Sequence, residues 1–400
     1  MKISASENIK PLVFSVYIPT LLFAIAQGLL IPVLPIHAKD SLGANEAMIG
    51  MVVAARYLGV MAFDIPAGIL ISSFGLRKTM IAGIILFALA AIGAALSTNI
   101  TLLIISRILA GISFSLWSIS RHSYIAISVK SSIRGRALSL FGGTARIGTI
   151  IGPILGGILA YYVGILIPFY AQAIIATIIL ILAIYSTRNL VTESGAFDNS
   201  FSIKETVNTF SKYRKDFATL GLLAVCIQFL RAAREFIIPV WGDNIGLDID
   251  EIGFITGISY FIDALMFPIA GILMDKFGRK WTSVPSIILL SLAFSLISFA
   301  DSYQKLLLVG LILGISNGIG SGAMLTLGSD LAPEDSNGPF LGIWRLISWS
   351  GSGLASPLVG TIGQFLSLSL ASFSITGIGF VGIVFFIFLV PETLKKNHNP

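Results

Sequence analysis

The chain has 400 residues, of which 55 % are AVILMFWYC and only 12 % are charged, about half the charged share of a soluble domain. So few charged side chains cannot cover a water-exposed surface, which excludes a soluble enzyme, a disordered chain and a disulfide scaffold and points to an integral membrane protein. The net charge of +6 carries no message about nucleic acid until the basic residues are placed, and one cysteine, Cys226, cannot form an internal bridge.

A spanning helix needs about 20 apolar residues. Twelve such stretches run along the chain, at 12–36, 47–71, 78–97, 101–127, 137–161, 164–186, 217–241, 252–273, 282–300, 304–330, 339–362 and 369–390. They lack the every-second-residue alternation of membrane β-strands, and their glycines and prolines are tolerated in membrane helices. At the amino terminus, Lys2 and Lys10 precede an apolar run whose Ala24-Ile25-Ala26 imitates a signal-peptide cleavage site. The run continues through Gly28-Leu29-Leu30-Ile31, and cleavage would leave an odd number of spans, so it is read as the first membrane helix.

The basic residues sort by side. Of 26 Lys and Arg, seven fall within spans, and only Lys39 and Lys305 fall in loops after odd-numbered spans. The rest lie in the tails or in loops after even-numbered spans, among them Arg77, Lys78, Lys130, Arg134, Arg136, Lys212, Arg214, Lys215 and Lys280. Positively charged loops stay cytoplasmic, so both termini are expected inside. The loop after span 7, with Asp243, Asp248, Asp250 and Glu251, is expected outside.

The longest polar stretch, 187–216, reads as a cytoplasmic linker between six-span halves at 1–186 and 217–400. The halves resemble each other at a shift of 203 positions: Gly50 matches Gly253, Gly68-Ile69-Leu70 matches Gly271-Ile272-Leu273, and Phe74-Gly75 matches Phe277-Gly278. Gly111-Ile112-Ser113 matches Gly314-Ile315-Ser316, Gly135 matches Gly338, Leu138 matches Leu341, and with one residue of drift Pro153 matches Pro357. Six spans per repeat is even, so the repeats share orientation, the parallel arrangement that suits rocking about a central site.

Residues 271–280, Gly-Ile-Leu-Met-Asp-Lys-Phe-Gly-Arg-Lys, resemble the signature loop of the major facilitator superfamily. In the corresponding loop after span 2, Ser72 replaces the Asp, and Ser73 and Leu76 replace basic residues. Residues 148–157, Gly-Thr-Ile-Ile-Gly-Pro-Ile-Leu-Gly-Gly, resemble the span-5 motif of the drug:proton antiporter branch. Arg107 and Gly111 resemble the family's span-4 motif, and Gly28 to Pro35 also looks like that branch. The resemblance covers essentially the whole chain. It implies an all-α integral membrane fold of 12 transmembrane helices in two six-helix bundles related by a parallel pseudo-two-fold. It further implies a multi-pass cell-membrane protein, usually monomeric, that is not an enzyme and moves a small molecule by alternating access, with proton-coupled export of an organic solute or drug as the expected activity. An organic-anion importer or uniporter is the near alternative; a non-transporting receptor or membrane enzyme is the distant one.

The motifs have physical readings. Gly148, Gly152, Gly156 and Gly157 form a small-residue face that lets another backbone approach, and Pro153 can bend the helix; the face serves either packing alone or conformational change. Within the loop after span 8, with Gly271, Gly278 and Arg279, the resemblance gives Asp275 the role of a latch. It would hold a helix amino terminus and a nearby Arg in one conformation only.

Ten charges lie inside spans: Arg56, Asp64, Arg107, Arg121, Arg146, Arg231, Arg234, Glu235, Asp263 and Arg345. Each costs about 2.5–3.5 kcal/mol at a helix centre, so they must pair, line water or snorkel. Snorkelling fits Arg107 and suits Arg231, Arg234 and Glu235 poorly. The last three share one face of span 7, where Arg231 and Glu235 can pair. The family places spans 1, 4, 7 and 10 around its cavity, which makes Arg121 and Arg231, with Arg234, candidates to hold an anionic substrate group through two-point contacts. Glu235, with Asp263, is the candidate for the coupling proton; a permanent Arg–Glu pair is the alternative. Similar depths in facing spans suggest cytoplasmic gate pairs Asp64–Arg345 and Arg146–Asp263, with pairing inside one half, such as Asp64 to Arg56, as the rival.

His122 is either a pH sensor or a satisfied core residue. Trp117, Tyr124, Phe229 and Tyr260 line either a pocket or lipid and neighbouring helices. Gln27, Gln228 and Asn317 serve either a cavity or helix–helix hydrogen bonds. No phosphate-binding loop and no Cys/His cluster stands out, so no cofactor, metal or nucleic acid is expected, and the partners are a small-molecule substrate, protons and the bilayer.

Overall fold

The computed structural model describes residues 9, 12–187, 203–322, 332 and 337–389. The linker stretch 188–202, most of both termini and the end of the tenth predicted span at 323–330 therefore lie outside the described residues. Helices run in the order α1 Val13–Leu42, α2 Glu46–Phe74, α3 Leu76–Ala95, α4 Ile100–Ser128, α5 Ser131–Tyr162, α6 Ile167–Ser186, α7 Ile203–Lys212, α8 Arg214–Asn244, α9 Ile249–Phe277, α10 Arg279–Ile297, α11 Tyr303–Gly320, α12 Asn337–Phe365 and α13 Leu368–Leu389. No β-strand occurs among the described residues.

Eleven of these helices are long and apolar enough to cross a membrane. The eleventh predicted stretch, 339–362, is a helix too: α12 spans 29 residues, but Ser348, Ser350, Gly351, Ser352 and Gly353 lower its hydropathy. Several helices outrun their apolar stretches. The 29 residues of α2 reach about 44 Å at 1.5 Å per residue, against a hydrocarbon core of ~30 Å. Ile272, Phe299 and Phe388 are 67 %, 66 % and 79 % exposed, as lipid-facing side chains are. The second half of the predicted linker is not a loop, because Ile203–Lys212 is helical and Phe210 stacks on Phe217 at 5.9 Å.

The chain forms two compact units, the first from Met1–Ala44, Met51–Asn199 and Asp248–Gly257, the second from Asn45–Gly50, Ser200–Leu247 and Ile258–Pro400. In the first unit, Phe23 of α1 packs on Phe87 of α3 at 4.4 Å and stacks on Trp117 of α4 at 5.1 Å. Met80, Ile84, Ala176 and Ile179 complete that cluster, and a second gathers Leu12, Val16, Ile71, Leu76, Tyr124 and Ile125. In the second unit, Phe217 meets Phe340 at 4.7 Å, and Trp241 donates its indole N–H to the Ala300 carbonyl at 2.7 Å.

The two units repeat the same backbone devices at a constant offset of 203. Left-handed glycines end α1 and α8 at Gly43 (φ 67°) and Gly246 (φ 80°), and open α3 and α10 at Gly75 (φ 86°) and Gly278 (φ 103°). Ser113 donates to the Gly83 carbonyl at 2.8 Å, and Ser286 donates to the Ser316 carbonyl at 2.6 Å. Arg77 donates to the Ile184 carbonyl at 2.6 Å, and Lys280 to the Ile387 carbonyl at 2.7 Å. Each thus places a cation on the last carbonyls of a helix, where the macrodipole favours it.

Glycine contacts repeat as well. Gly111 abuts the Arg56 carbonyl, and Gly314 the Ser259 carbonyl. Within the first unit, Gly157 abuts the Ile249 carbonyl and Gly253 the Pro153 carbonyl; within the second, Gly360 abuts the Glu46 carbonyl and Gly50 the Ser356 carbonyl. These contacts place the first turns of α2 and α9 in the units that hold them. They also remove the apparent drift, since Pro153 corresponds to Ser356 and Pro357 is displaced by one residue.

In the first turn of α11, the exposed Lys305 donates to Asp301 of the preceding loop at 2.6 Å, and that hydrogen bond holds the Asp301 carboxyl below its ordinary value. A depressed carboxyl favours the folded state above its unfolded value and loses that contribution as pH falls through the folded one. Lys305→Met is expected to return the Asp301 titration upward by NMR while leaving the melting temperature at neutral pH unchanged, because both partners are solvated.

Candidate functional site

The second unit holds a buried polar network built by α8, α9 and α11. Gly314 and Gly318, one turn apart on α11, let that helix close on the α9 backbone at Ser259 and Asp263. The close approach brings Asn317 to Asp263, with Asn317 Nδ2 donating to Asp263 Oδ2 at 2.6 Å. From α8, Arg234 Nη2 reaches the same oxygen at 3.4 Å and Nη1 reaches Ser259 Oγ at 3.3 Å. The Arg234 guanidinium also lies 4.2 Å over the Tyr260 ring. Arg234 and Asp263 are each 5 % exposed, so the pair is enclosed and weakly screened.

Neighbouring residues extend the network. Arg231 donates from Nη2 to the Gly320 carbonyl at 2.6 Å and from Nη1 to Gln228 Oε1 at 3.4 Å. Glu235 follows Arg234 in the chain and is half-buried. The expected substrate arginines Arg231 and Arg234, the polar Gln228 and Asn317, and the expected proton carriers Glu235 and Asp263 thus fall within one unit.

In the first unit, Arg56 Nη1 donates to Gln27 Oε1 at 3.0 Å, linking α1 to α2. Asp64 accepts from Ser115 Oγ at 3.1 Å. Trp117 is enclosed in the core, stacked on one face by Phe23 and approached by the Arg121 guanidinium at 4.0 Å from its ring centroid. Arg107 does not snorkel: it is only 9 % exposed, held within the packed part of α4 one turn before Gly111. His122 is exposed rather than core, with Nδ1 2.8 Å from the Ser118 carbonyl and its ring edge-on to Phe141. Arg146 is half-buried in the first unit, and Arg345 is exposed in the second.

The glycine face of α5 packs on α1. A Cβ on Gly148 would lie 2.7 Å from the Leu21 carbonyl oxygen, one on Gly152 2.7 Å from the Ile25 carbonyl oxygen, and one on Gly156 inside the Leu29 carbonyl. In the signature loop, Asp275 is exposed and Gly278 is left-handed, whereas a Cβ on Gly271 would meet nothing within 4 Å. The backbone of Arg279 opens α10; its side chain lies outside the description. Gly278→Ala is therefore expected to cost about 1–3 kcal/mol, the penalty of a Cβ in an extended positive-φ backbone that essentially only glycine adopts, and Gly271→Ala to cost nothing; thermal unfolding in detergent reads both.

At the offset of 203, every in-span charge faces an uncharged residue in the other half: Arg231, Arg234, Glu235 and Asp263 correspond to Gly28, Ile31, Pro32 and Val60. Likewise Arg56, Asp64, Arg107, Arg121, Arg146 and Arg345 correspond to Ser259, Phe267, Gly310, Met324, Trp349 and Gly142. The glycines that build the scaffold repeat and the charges do not, so each in-span charge is particular to its own unit.

Repeated units of apolar helices with enclosed charges define a multi-pass membrane transporter. Residues 16–233 and 220–400 match the model of the Major Facilitator Superfamily, and the chain belongs to that family, whose members are transporters rather than enzymes. It is similar to the quinolone resistance protein NorA of Staphylococcus aureus, 28 % identical over 332 residues that cover 80 % of this chain and 82 % of that one. It is also similar to an uncharacterized MFS-type transporter of Methanocaldococcus jannaschii, 23 % identical over 83 % of this chain and 86 % of that one. Among solved structures, the nucleoside transporter NupG superposes with a TM-score of 0.81 at 13 % identity, covering 95 % of this chain and 99 % of that one. The expected resemblance to the drug:proton antiporter branch stands.

Proposed function

We propose that this protein is a proton-coupled exporter of small organic molecules, working by alternating access in the cell membrane with both termini cytoplasmic. The Arg234–Asp263–Asn317 network carries the reading. A carboxylate that holds a buried arginine and an amide on one oxygen keeps them while ionised and releases them when protonated. A proton is thereby tied to the position of α8 against α9 and α11. Glu235, half-buried and next to Arg234 in the chain, is the second carboxyl that carries the coupling proton, together with Asp263. The named quinolone resistance of a relative covering four-fifths of the chain supports export, and the Lys and Arg of the even-numbered loops support the orientation.

Everted membrane vesicles from cells producing the protein test this. Energised vesicles with an acidic interior are expected to accumulate a fluorescent quinolone, and a protonophore to release it. Accumulation indifferent to the protonophore would overturn proton coupling. The seven in-span arginines against three acids favour a second reading, uptake or uniport of an organic anion, which predicts anion flux without any response to the pH gradient.

A further inference from the structure

Most in-span arginines of the described residues are engaged: Arg56 with Gln27, Arg231 with Gly320, Arg234 with Asp263. Arg121 is different. It is 0 % exposed, and Nε, Nη1 and Nη2 are all buried without a hydrogen-bond partner among the described residues. Its guanidinium lies over the Trp117 ring, 4.0 Å from the guanidinium carbon to the centroid. On α4, Trp117, Arg121 and Tyr124 follow one another at helical spacing on one face. Trp117 belongs to one apolar cluster of the first unit and Tyr124 to the other, and Arg121 lies between them along α4. Ser120 Oγ, next in the chain, is likewise buried and unpartnered.

A guanidinium stays protonated and presents five donors in a rigid fork. An aromatic face offsets only part of the desolvation of such an ion and satisfies none of its N–H groups. The complement it lacks is an anion with two coplanar oxygens. Met324 stands at the corresponding position of the other half, so a cation here is not inherited from the scaffold.

We propose that Arg121 is an anion receptor inside the first unit, and that the molecules this protein carries bear an acidic group, in the simplest case a carboxylate, that pairs with Arg121 in two-point fashion. The inference rests on the transport reading for its consequence and deepens it by naming the substrate class. It differs from the network of the second unit, where the arginines already have acceptors.

The test is thermal unfolding of the purified full chain in detergent with benzoate, benzamide or benzylammonium, which share a ring and differ in charge. A ligand of the folded state raises the melting temperature by mass action. Benzoate is expected to raise it by about 2 °C or more, and the other two to leave it in place. The rise should vanish in Arg121→Met, shrink by at least half in Arg121→Lys, which keeps the charge without the fork, and persist in Lys305→Met on the surface. An equal rise with benzamide or benzylammonium, no rise with benzoate, or a full rise in Arg121→Met would overturn the proposal. Should Arg121→Met fail to fold, the wild-type series and Arg121→Lys decide it. No gradient or membrane enters this measurement. Benzoate binding at Arg121 together with absent flux in vesicles would therefore sink the transport reading alone.

Discussion

Replacing Asp263 by Ala is expected to destabilise the protein by about 3–5 kcal/mol, the cost of leaving one member of a buried ion pair uncompensated. Arg234 is enclosed in the second unit, and among the described residues its guanidinium would keep the Ser259 hydroxyl and the Tyr260 ring. Asn317 would lose the acceptor that it reaches at 2.6 Å. The opposite truncation, Arg234→Met, leaves a buried carboxylate that still accepts from Asn317 at 2.6 Å, so its penalty should be smaller. The double variant Asp263→Asn with Arg234→Met removes both charges and should recover most of the stability, because a buried pair contributes little net energy once its desolvation is counted. Thermal unfolding in detergent measures all three. An Asp263→Ala protein within about 1 kcal/mol of wild type would mean that the pair is not a closed element of the fold.

The second large effect is steric. Adding a single methyl at Gly156 is expected to cost about 1–3 kcal/mol, and Gly156→Leu to prevent folding. The Cβ would fall inside the Leu29 carbonyl, with the Leu29 Cα 2.8 Å away. Those are backbone atoms and cannot rotate aside, so α5 must move off α1 along the whole face that includes Gly148 and Gly152. Gly143→Ala is the control, since a Cβ there meets nothing within 4 Å and a helical alanine is preferred to glycine. Melting temperatures of the purified variants should separate the two sites clearly; equal behaviour would show that the face is not close-packed.

Much of this was readable from residues alone, for physical reasons. Lipid forces each crossing segment to be apolar and to satisfy its own backbone, so hydropathy places α1 to α6 within a few residues. It fails at their ends, because a helix continues past the hydrocarbon where its residues turn polar, as α5 does back to Ser131. It fails also at Ile203–Lys212, an amphipathic helix that reads as polar linker by composition. Gly148, Gly152 and Gly156 were legible as a close-approach face because spacing alone puts small residues on one side of a helix.

The network around Asp263 was only half legible. Depth along the axis suggests Arg146 for Asp263 and says nothing of how each helix is rotated, and it is rotation that also brings Arg234 to Asp263 within the second unit. The better clue was the adjacent pair of facts that Gly314 and Gly318 carry α11 against α9 and that Asn317 lies between them. Arg121 shows the other limit. Its charge was plain, whereas its isolation from every acceptor among the described residues depends on what α4 faces.

Flux through the purified protein tests the central claim most directly. Proteoliposomes loaded with a fluorescent quinolone and given a pH gradient are compared for wild type and Glu235→Gln. Wild type is expected to drive net movement in response to the gradient, and Glu235→Gln to exchange substrate across the membrane at a comparable rate while ignoring the gradient. A wild-type protein that moves nothing, or a Glu235→Gln variant that follows the gradient as wild type does, would contradict the account.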